Sequence, residues 1–117
     1  MAIAMTPTLT GEDYCSPEIY RLDCDRIFHR QWFYAGRAER VDHVGDRLLV
    51  DVGGESILVV RDREGELHAH YNVCRHRGSQ LCDASGSGFG AAITCPYHAW
   101  SFALDGRLVA TPHVGKD

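Results

Sequence analysis

Two periodicities divide the chain. Between residues 16 and 31 the positions Tyr20, Cys24, Ile27, Phe28 and Gln31 recur at helical spacing, leaving Arg21, Asp25 and His29 for a wetter face. Ser16 followed by Pro17 supplies a helix start, a capping hydroxyl and then a proline whose missing N–H costs nothing at the first helical position. The spacing predicts a helix over 17–31 that ends near 32–34, where three aromatic residues and then Gly36 suit entry into a strand. Residues 1–15 are polar without a clear period, and predict a mobile arm or loose wrap. Beyond residue 36 the period shortens, with β-rich runs at 47–52, 56–61, 67–73, 92–95, 100–104 and 108–111. Gly53-Gly54, Arg63-Glu64-Gly65 and Asp105-Gly106 separate several of them, and such links favour hairpins. Closely spaced short strands with these turns predict a mostly β fold, a small antiparallel sandwich or barrel with one N-terminal helix. No internal repeat is visible, and the Gly/Ser stretch at 85–90 is expected to be a surface loop. The expected organisation is an arm over 1–15, a helical lead over 16–35 and a β domain over 36–117.

Composition narrows the partners. The chain has 117 residues, 44% of them apolar, with 12 Lys+Arg against 16 Asp+Glu and a formal charge of −4. A chain of this size buries about two thirds of its unfolded surface, enough for one modest core. Mild acidity argues against nucleic acid, which wants a clustered basic excess. The longest apolar runs are about four or five residues, far short of the roughly 20 that a membrane span needs. The start lacks a basic residue before its apolar stretch, so no secretory signal is expected and the chain is placed in the cytoplasm.

The cysteines change the picture. There are five, at 15, 24, 74, 82 and 95, and in a reducing compartment an odd set reads as metal ligands, nucleophiles or buried fillers before bridges. Two segments carry candidate chemistry: Cys74-Arg75-His76-Arg77-Gly78 and Cys95-Pro96-Tyr97-His98-Ala99-Trp100. Together they form Cys-x-His, an 18-residue gap, and Cys-x-x-His. Each follows a predicted strand and offers one thiolate and one imidazole from a tight turn. Two such turns facing each other sort two sulfurs to one side and two nitrogens to the other. That sorting suits a [2Fe–2S] cluster, with Cys74 and Cys95 on one iron and His76 and His98 on the other. Neutral imidazoles in place of two thiolates raise the potential into a range of roughly −150 to +300 mV. A structural zinc site is the competing reading, although zinc modules usually pair like ligands within a turn, whereas each turn here mixes them.

CRHRG with CPYHAW closely resembles the binding motif of Rieske proteins, specifically those of aromatic-ring-hydroxylating oxygenases. Rieske proteins of respiratory and photosynthetic complexes carry an extra cysteine in each turn; the matching positions here are Ser79 and Tyr97, so that bridge cannot form. Where those proteins place a serine that bonds a bridging sulfide, this chain has Trp100, an apolar shield, and the lower part of the Rieske range is expected. The resemblance runs from about Tyr14 to Asp117 and is to the N-terminal part of the Rieske non-haem iron oxygenase alpha subunit. Ala99 stands where that family more often has Gly, which as a single methyl is expected to matter little.

In that family the Rieske domain feeds electrons to a mononuclear non-haem Fe(II), held by two histidines and a carboxylate in a separate catalytic domain. The histidines here, at 29, 43, 68, 70, 76, 98 and 113, include no pair four or five apart. The expectation is therefore a chain that moves electrons without activating oxygen, no residue being assigned a catalytic role. The resemblance implies an NAD(P)H-dependent reductase or a ferredoxin as donor, the oxygenase catalytic domain as acceptor, and homo-oligomers of the full-length dioxygenase or monooxygenase. A free-standing Rieske ferredoxin is the alternative, and a structural zinc module the weaker one. His29, His43, His68, His70 and His113 are expected at the surface or in packing, and Cys15, Cys24 and Cys82 as spare thiols; Arg75 and Arg77 read equally as part of a positive docking rim or as a solvated turn.

Overall fold

The computed structural model describes residues 8–112, and the chain divides into two compact units between Tyr34 and Ala35. The first unit is helical. Residues expected to lack structure form a short helix, α1 (Gly11–Cys15). It is fastened at its start by the Asp13 carboxylate, which accepts from both the N–H (2.6 Å) and the hydroxyl (2.7 Å) of Thr10. Residues 1–7 of the expected arm lie outside the described residues. Ser16 caps α2 (Pro17–Asp23), accepting from the N–H of Ile19 at 3.5 Å.

The helix expected to run on to residue 31 changes its winding at Cys24. A π-helical turn follows over Cys24–Phe28, in which the His29 N–H reaches back five residues to the Cys24 carbonyl at 3.0 Å. The Asp25 carbonyl, which a regular helix would offer to that amide, is taken by the Arg30 guanidinium at 2.7 Å. Phe28 then stacks on Phe33 with centroids 5.3 Å apart. A competing cation and an aromatic pair thus end the helix, and sequence spacing signals neither.

The second unit is antiparallel β, preceded by a 3₁₀ turn at Ala38–Val41. Its first sheet runs β1 (Arg47–Val52), β2 (Glu55–Arg61) and β3 (Leu67–Tyr71), in that order; its second runs β4 (Ala92–Thr94), β5 (Ser101–Ala103) and β6 (Leu108–Ala110). All six expected strands are present, most of them a residue or two shorter. Alternation along β2 sends Leu58 and Val60 inward, both fully buried, while Ile93 of β4 faces Phe102 of β5. These side chains form one core with Leu81 and Leu104, and Cys74 and Cys95 belong to it. Each such aliphatic side chain contributes about 1.5–3 kcal/mol by leaving water.

Polar side chains fasten the turns. Buried Asp62 accepts from the N–H groups of Glu64 (3.0 Å) and Glu66 (2.8 Å) and pairs with His68 at 2.6 Å. The hydrogen bond from His68 is the main reason its carboxyl titrates below the usual range. His70 Nε2 lies 2.9 Å from the Leu104 carbonyl, tying β3 to the end of β5. These two histidines are structural, as the sequence suggested; His43 lies 3.4 Å from Asp46 at the surface, His29 is exposed, and His113 falls outside the described residues. Among the described residues no helix is long and apolar enough to cross a membrane.

The loop over 83–90 is exposed but not loose. Arg47 exchanges backbone hydrogen bonds with Gly86 (2.6 and 2.9 Å), donates from its side chain to the carbonyls of Ala84 (3.0 Å) and Ser87 (2.5 Å), and lies 4.7 Å above the Phe89 ring. The Ser85 hydroxyl accepts from the N–H of Leu49 at 2.9 Å. The segment joining the two candidate turns is therefore stitched along β1.

Candidate metal centre

The two turns expected to carry chemistry share one hydrogen-bond pattern. In the first, the Cys74 carbonyl accepts from the Gly78 N–H (2.9 Å) and the Cys74 N–H donates to the Ser79 carbonyl (2.7 Å). In the second, the Cys95 carbonyl accepts from the Ala99 N–H (3.0 Å) and the Cys95 N–H donates to the Trp100 carbonyl (2.8 Å). The chain closes on itself four and five residues after each cysteine. Closure that tight needs a left-handed residue at the fourth position, where Gly78 has φ +68° and Ala99 φ +58°.

Ala99 is thus not the neutral change that the sequence suggested. A side chain in left-handed backbone costs on the order of 1 kcal/mol or more. Relieving it outweighs the extra freedom that glycine gives the unfolded chain. Ala99→Gly is expected to raise stability by about 0.5–1 kcal/mol, seen as a rise of a few degrees in thermal midpoint; an unchanged or lower midpoint would show that the turn carries no strain.

The same turns aim amides at sulfur. The N–H groups of His76 and Arg77 bond the Cys74 sulfur, and those of Tyr97 and His98 bond the Cys95 sulfur. Both cysteines are almost sealed, at 2% and 3% exposure, and their side chains hydrogen-bond each other. Burial pushes the Cys74 thiol up. Burial opposes ionisation of Cys95 as well, but the N–H groups of Tyr97 and His98, with the side chains of Cys74 and Ser79, outweigh it and bring that thiol below the ordinary range.

His76 and His98 are half-buried, their rings 4.9 Å apart and edge to face. Trp100 lies flat against His76, with centroids 4.6 Å apart and planes within 5°. Its indole N–H is buried without a hydrogen-bond acceptor, a rare orphan in a folded chain. The structure thus sets Cys74 beside Cys95 as a sealed sulfur pair and His76 beside His98 as a half-buried imidazole pair. Among the described residues no three His, Cys, Asp or Glu side chains converge as they would round a single ion. Two sorted pairs, with amides supporting the sulfurs, fit a two-iron cluster whose irons take unlike ligands.

The family model for the Rieske [2Fe-2S] domain matches residues 31–116. The chain belongs to the Rieske [2Fe-2S] domain family. It is 43% identical over 105 residues to the glycine betaine monooxygenase oxygenase subunit of Pseudomonas aeruginosa, covering 89% of this chain and 24% of that protein. To the anthranilate 1,2-dioxygenase large subunit of Acinetobacter baylyi it is 37% identical over 103 residues, covering 88% of this chain and 22% of that one. Among solved structures, a quaternary ammonium Rieske monooxygenase described for carnitine oxidation and inter-subunit electron transfer superposes with a TM-score of 0.82 at 35% identity, covering 87% of this chain and 28% of that one. This Rieske domain spans about a quarter of the length of the curated relatives it matches, and the match is to the N-terminal, Rieske portion of oxygenase alpha subunits.

Ser79 was missed by the sequence reading except as the place of an absent cysteine. Its hydroxyl lies within hydrogen-bonding reach of Cys95 and 3.3 Å from the Gln80 carbonyl. A serine three positions after the first histidine is the signal that could have found it. Trp100 was expected as an apolar shield, and its stack on His76 gives that shield a specific target. Cys15 is exposed, Cys24 buried and Cys82 half-buried, none of the three in a disulfide. Arg75 and Arg77 are exposed on the first turn.

Proposed function

We propose that this chain is the electron-transfer domain of a Rieske oxygenase large subunit, holding a [2Fe–2S] cluster through Cys74 and Cys95 on one iron and His76 and His98 on the other. When bound, that group stores a single electron at a potential set by its mixed ligands, roughly −150 to +300 mV. The chain's own residues do the rest. Burial of the two cysteines in the core excludes water from the sulfur side, and four backbone N–H groups offset the charge there. The half-buried imidazoles form the exit towards a partner, and Trp100 covers one face of His76. The donor is a reductase or a ferredoxin, and the acceptor a mononuclear non-haem iron in the oxygenase catalytic domain. The inter-subunit electron transfer described for the similar carnitine-oxidising enzyme supports an electron-transfer role within a multi-subunit whole. Higher identity to a glycine betaine monooxygenase than to an anthranilate dioxygenase favours a monooxygenase of quaternary ammonium compounds as the complete enzyme.

The observation that carries this reading is the sorting of donors, with two sealed thiols in one pair and two half-buried imidazoles in the other. Protein produced with ample iron should contain iron and acid-labile sulfide in equal amounts. It should also give a low-temperature EPR signal after dithionite. Bound zinc without sulfide would instead make the site structural.

A further inference from the structure

The two turns are alike inside and unlike in what stands behind them. The second sits at the tip of a regular hairpin, with Thr94↔Ser101, Ile93↔Phe102 and Ala92↔Ala103 paired in succession behind Cys95. Behind Cys74 there is one bridge, Val73↔Gln80, and the ladder then stops. It stops because the backbone of the next residue, Asn72, is turned the other way: its N–H donates to the Ser56 carbonyl at 2.9 Å, prolonging the β2–β3 pairing.

The Asn72 side chain fills the gap. Its Oδ1 accepts from the N–H groups of Leu81 (3.2 Å) and Cys82 (3.0 Å), and its Nδ2 donates to the Cys82 carbonyl (2.7 Å) and the Ser56 hydroxyl (3.2 Å). Donating to and accepting from the same residue, Cys82, is what a backbone partner does in an antiparallel ladder. A carboxamide is the side-chain group with the shape and the donor and acceptor of a peptide, and all four of its hydrogen-bonding positions are used. Asn72 is itself 4% exposed, so the bonds are shielded from water and a lost partner would stay unsatisfied.

We propose that Asn72 is a positioning residue for the metal centre: its side chain serves as the missing ladder rung that closes the first turn and holds Cys74 and His76 in register with the second. The proposal rests on the cluster reading above. An aspartate keeps the two acceptor bonds but cannot donate to the Cys82 carbonyl, and a leucine of similar volume keeps none. Removing Ser56's hydroxyl loosens only the link to β2.

The test uses Asn72→Leu, Asn72→Asp and Ser56→Ala in the full chain, with two readouts. In iron-free protein, hydrogen exchange at the Leu81 and Cys82 amides should accelerate about tenfold or more in Asn72→Leu, the factor equivalent to ~1.4 kcal/mol. The Leu58 and Val60 amides should keep their protection, which separates release of the turn from loss of the fold. In loaded protein, the EPR line shape of Asn72→Leu should shift and a chelator should bleach the cluster about tenfold faster or more, with Asn72→Asp intermediate and Ser56→Ala within about twofold of wild type. Unchanged Leu81 and Cys82 exchange would overturn the clamp. Released amides with wild-type EPR and bleaching would overturn the positioning role. Wild-type protein that takes up neither iron nor sulfide would overturn the cluster reading instead, while the exchange data still decide the clamp.

Discussion

Replacing His98 by cysteine is expected to leave a cluster in the protein but to lower its midpoint potential by some hundreds of millivolts. A thiolate brings a negative charge where a neutral imidazole brings none, so adding an electron becomes less favourable. All-cysteine plant-type clusters lie near −400 mV, against roughly −150 to +300 mV for mixed ones. The cysteine side of the site belongs to the core, where charge is screened less than in water, so an added thiolate there is penalised more than it would be in solvent. Loading should fall as well, because cysteine is shorter than histidine. Voltammetry of the loaded variant reads the change directly, and a potential equal to wild type would remove His98 from the ligand set. The same substitution at His76 carries a second effect, since it also removes the surface on which Trp100 stacks.

What was legible beforehand follows from how local each cause is. β2 was readable because a strand that buries one face writes that face into every second residue, as Leu58 and Val60 do. The fully exposed β6 was readable only from its short β-rich run after the Asp105-Gly106 turn. The four candidate donors were readable because both turns are continuous in sequence. Their sorting into a sealed pair and a wetter pair was readable only as an expectation, since it depends on which sheet stands behind each turn. The winding change at Cys24 was hidden because its cause is a competition for one carbonyl between Arg30 and a backbone amide.

The largest omission was the support of the first turn. Asn72 reads in sequence as one polar residue before a cysteine. Its role appears only when Ser56, Leu81 and Cys82 are brought around it from two other segments. The strain at Ala99 was hidden for a different reason. Its methyl is small and meets no obstacle that composition could suggest; the cost lies in the backbone angle that the turn demands. Side-chain type predicts which chemistry is offered, and the backbone decides what holding it there costs.

Gly45→Ala is expected to be among the most damaging single-methyl changes in the β unit, and Gly54→Ala supplies its control. Both glycines have left-handed backbone, φ +79° and φ +87°, so a methyl strains each to a similar degree. They differ in surroundings. At Gly54 an added Cβ meets nothing within 4 Å, whereas at Gly45 it would lie 1.6 Å from the Phe89 carbonyl oxygen. That oxygen is backbone and cannot swing aside, so the 83–90 loop must lift from β1, straining the Phe89–Gly45 hydrogen bond (3.3 Å) and the seat of Phe89 under Arg47. Gly54→Ala should cost about 1 kcal/mol, or ~4 °C in thermal midpoint. Gly45→Ala should cost about 3 kcal/mol or more, over ~10 °C, when followed by far-ultraviolet circular dichroism. Because that loop joins the two cysteine turns, lifting it also lengthens their tether, and the variant should retain less iron than Gly54→Ala at a temperature where both are folded. Equal losses of stability in the two variants would show that Gly45 matters for its backbone angle alone and that the loop is free to move.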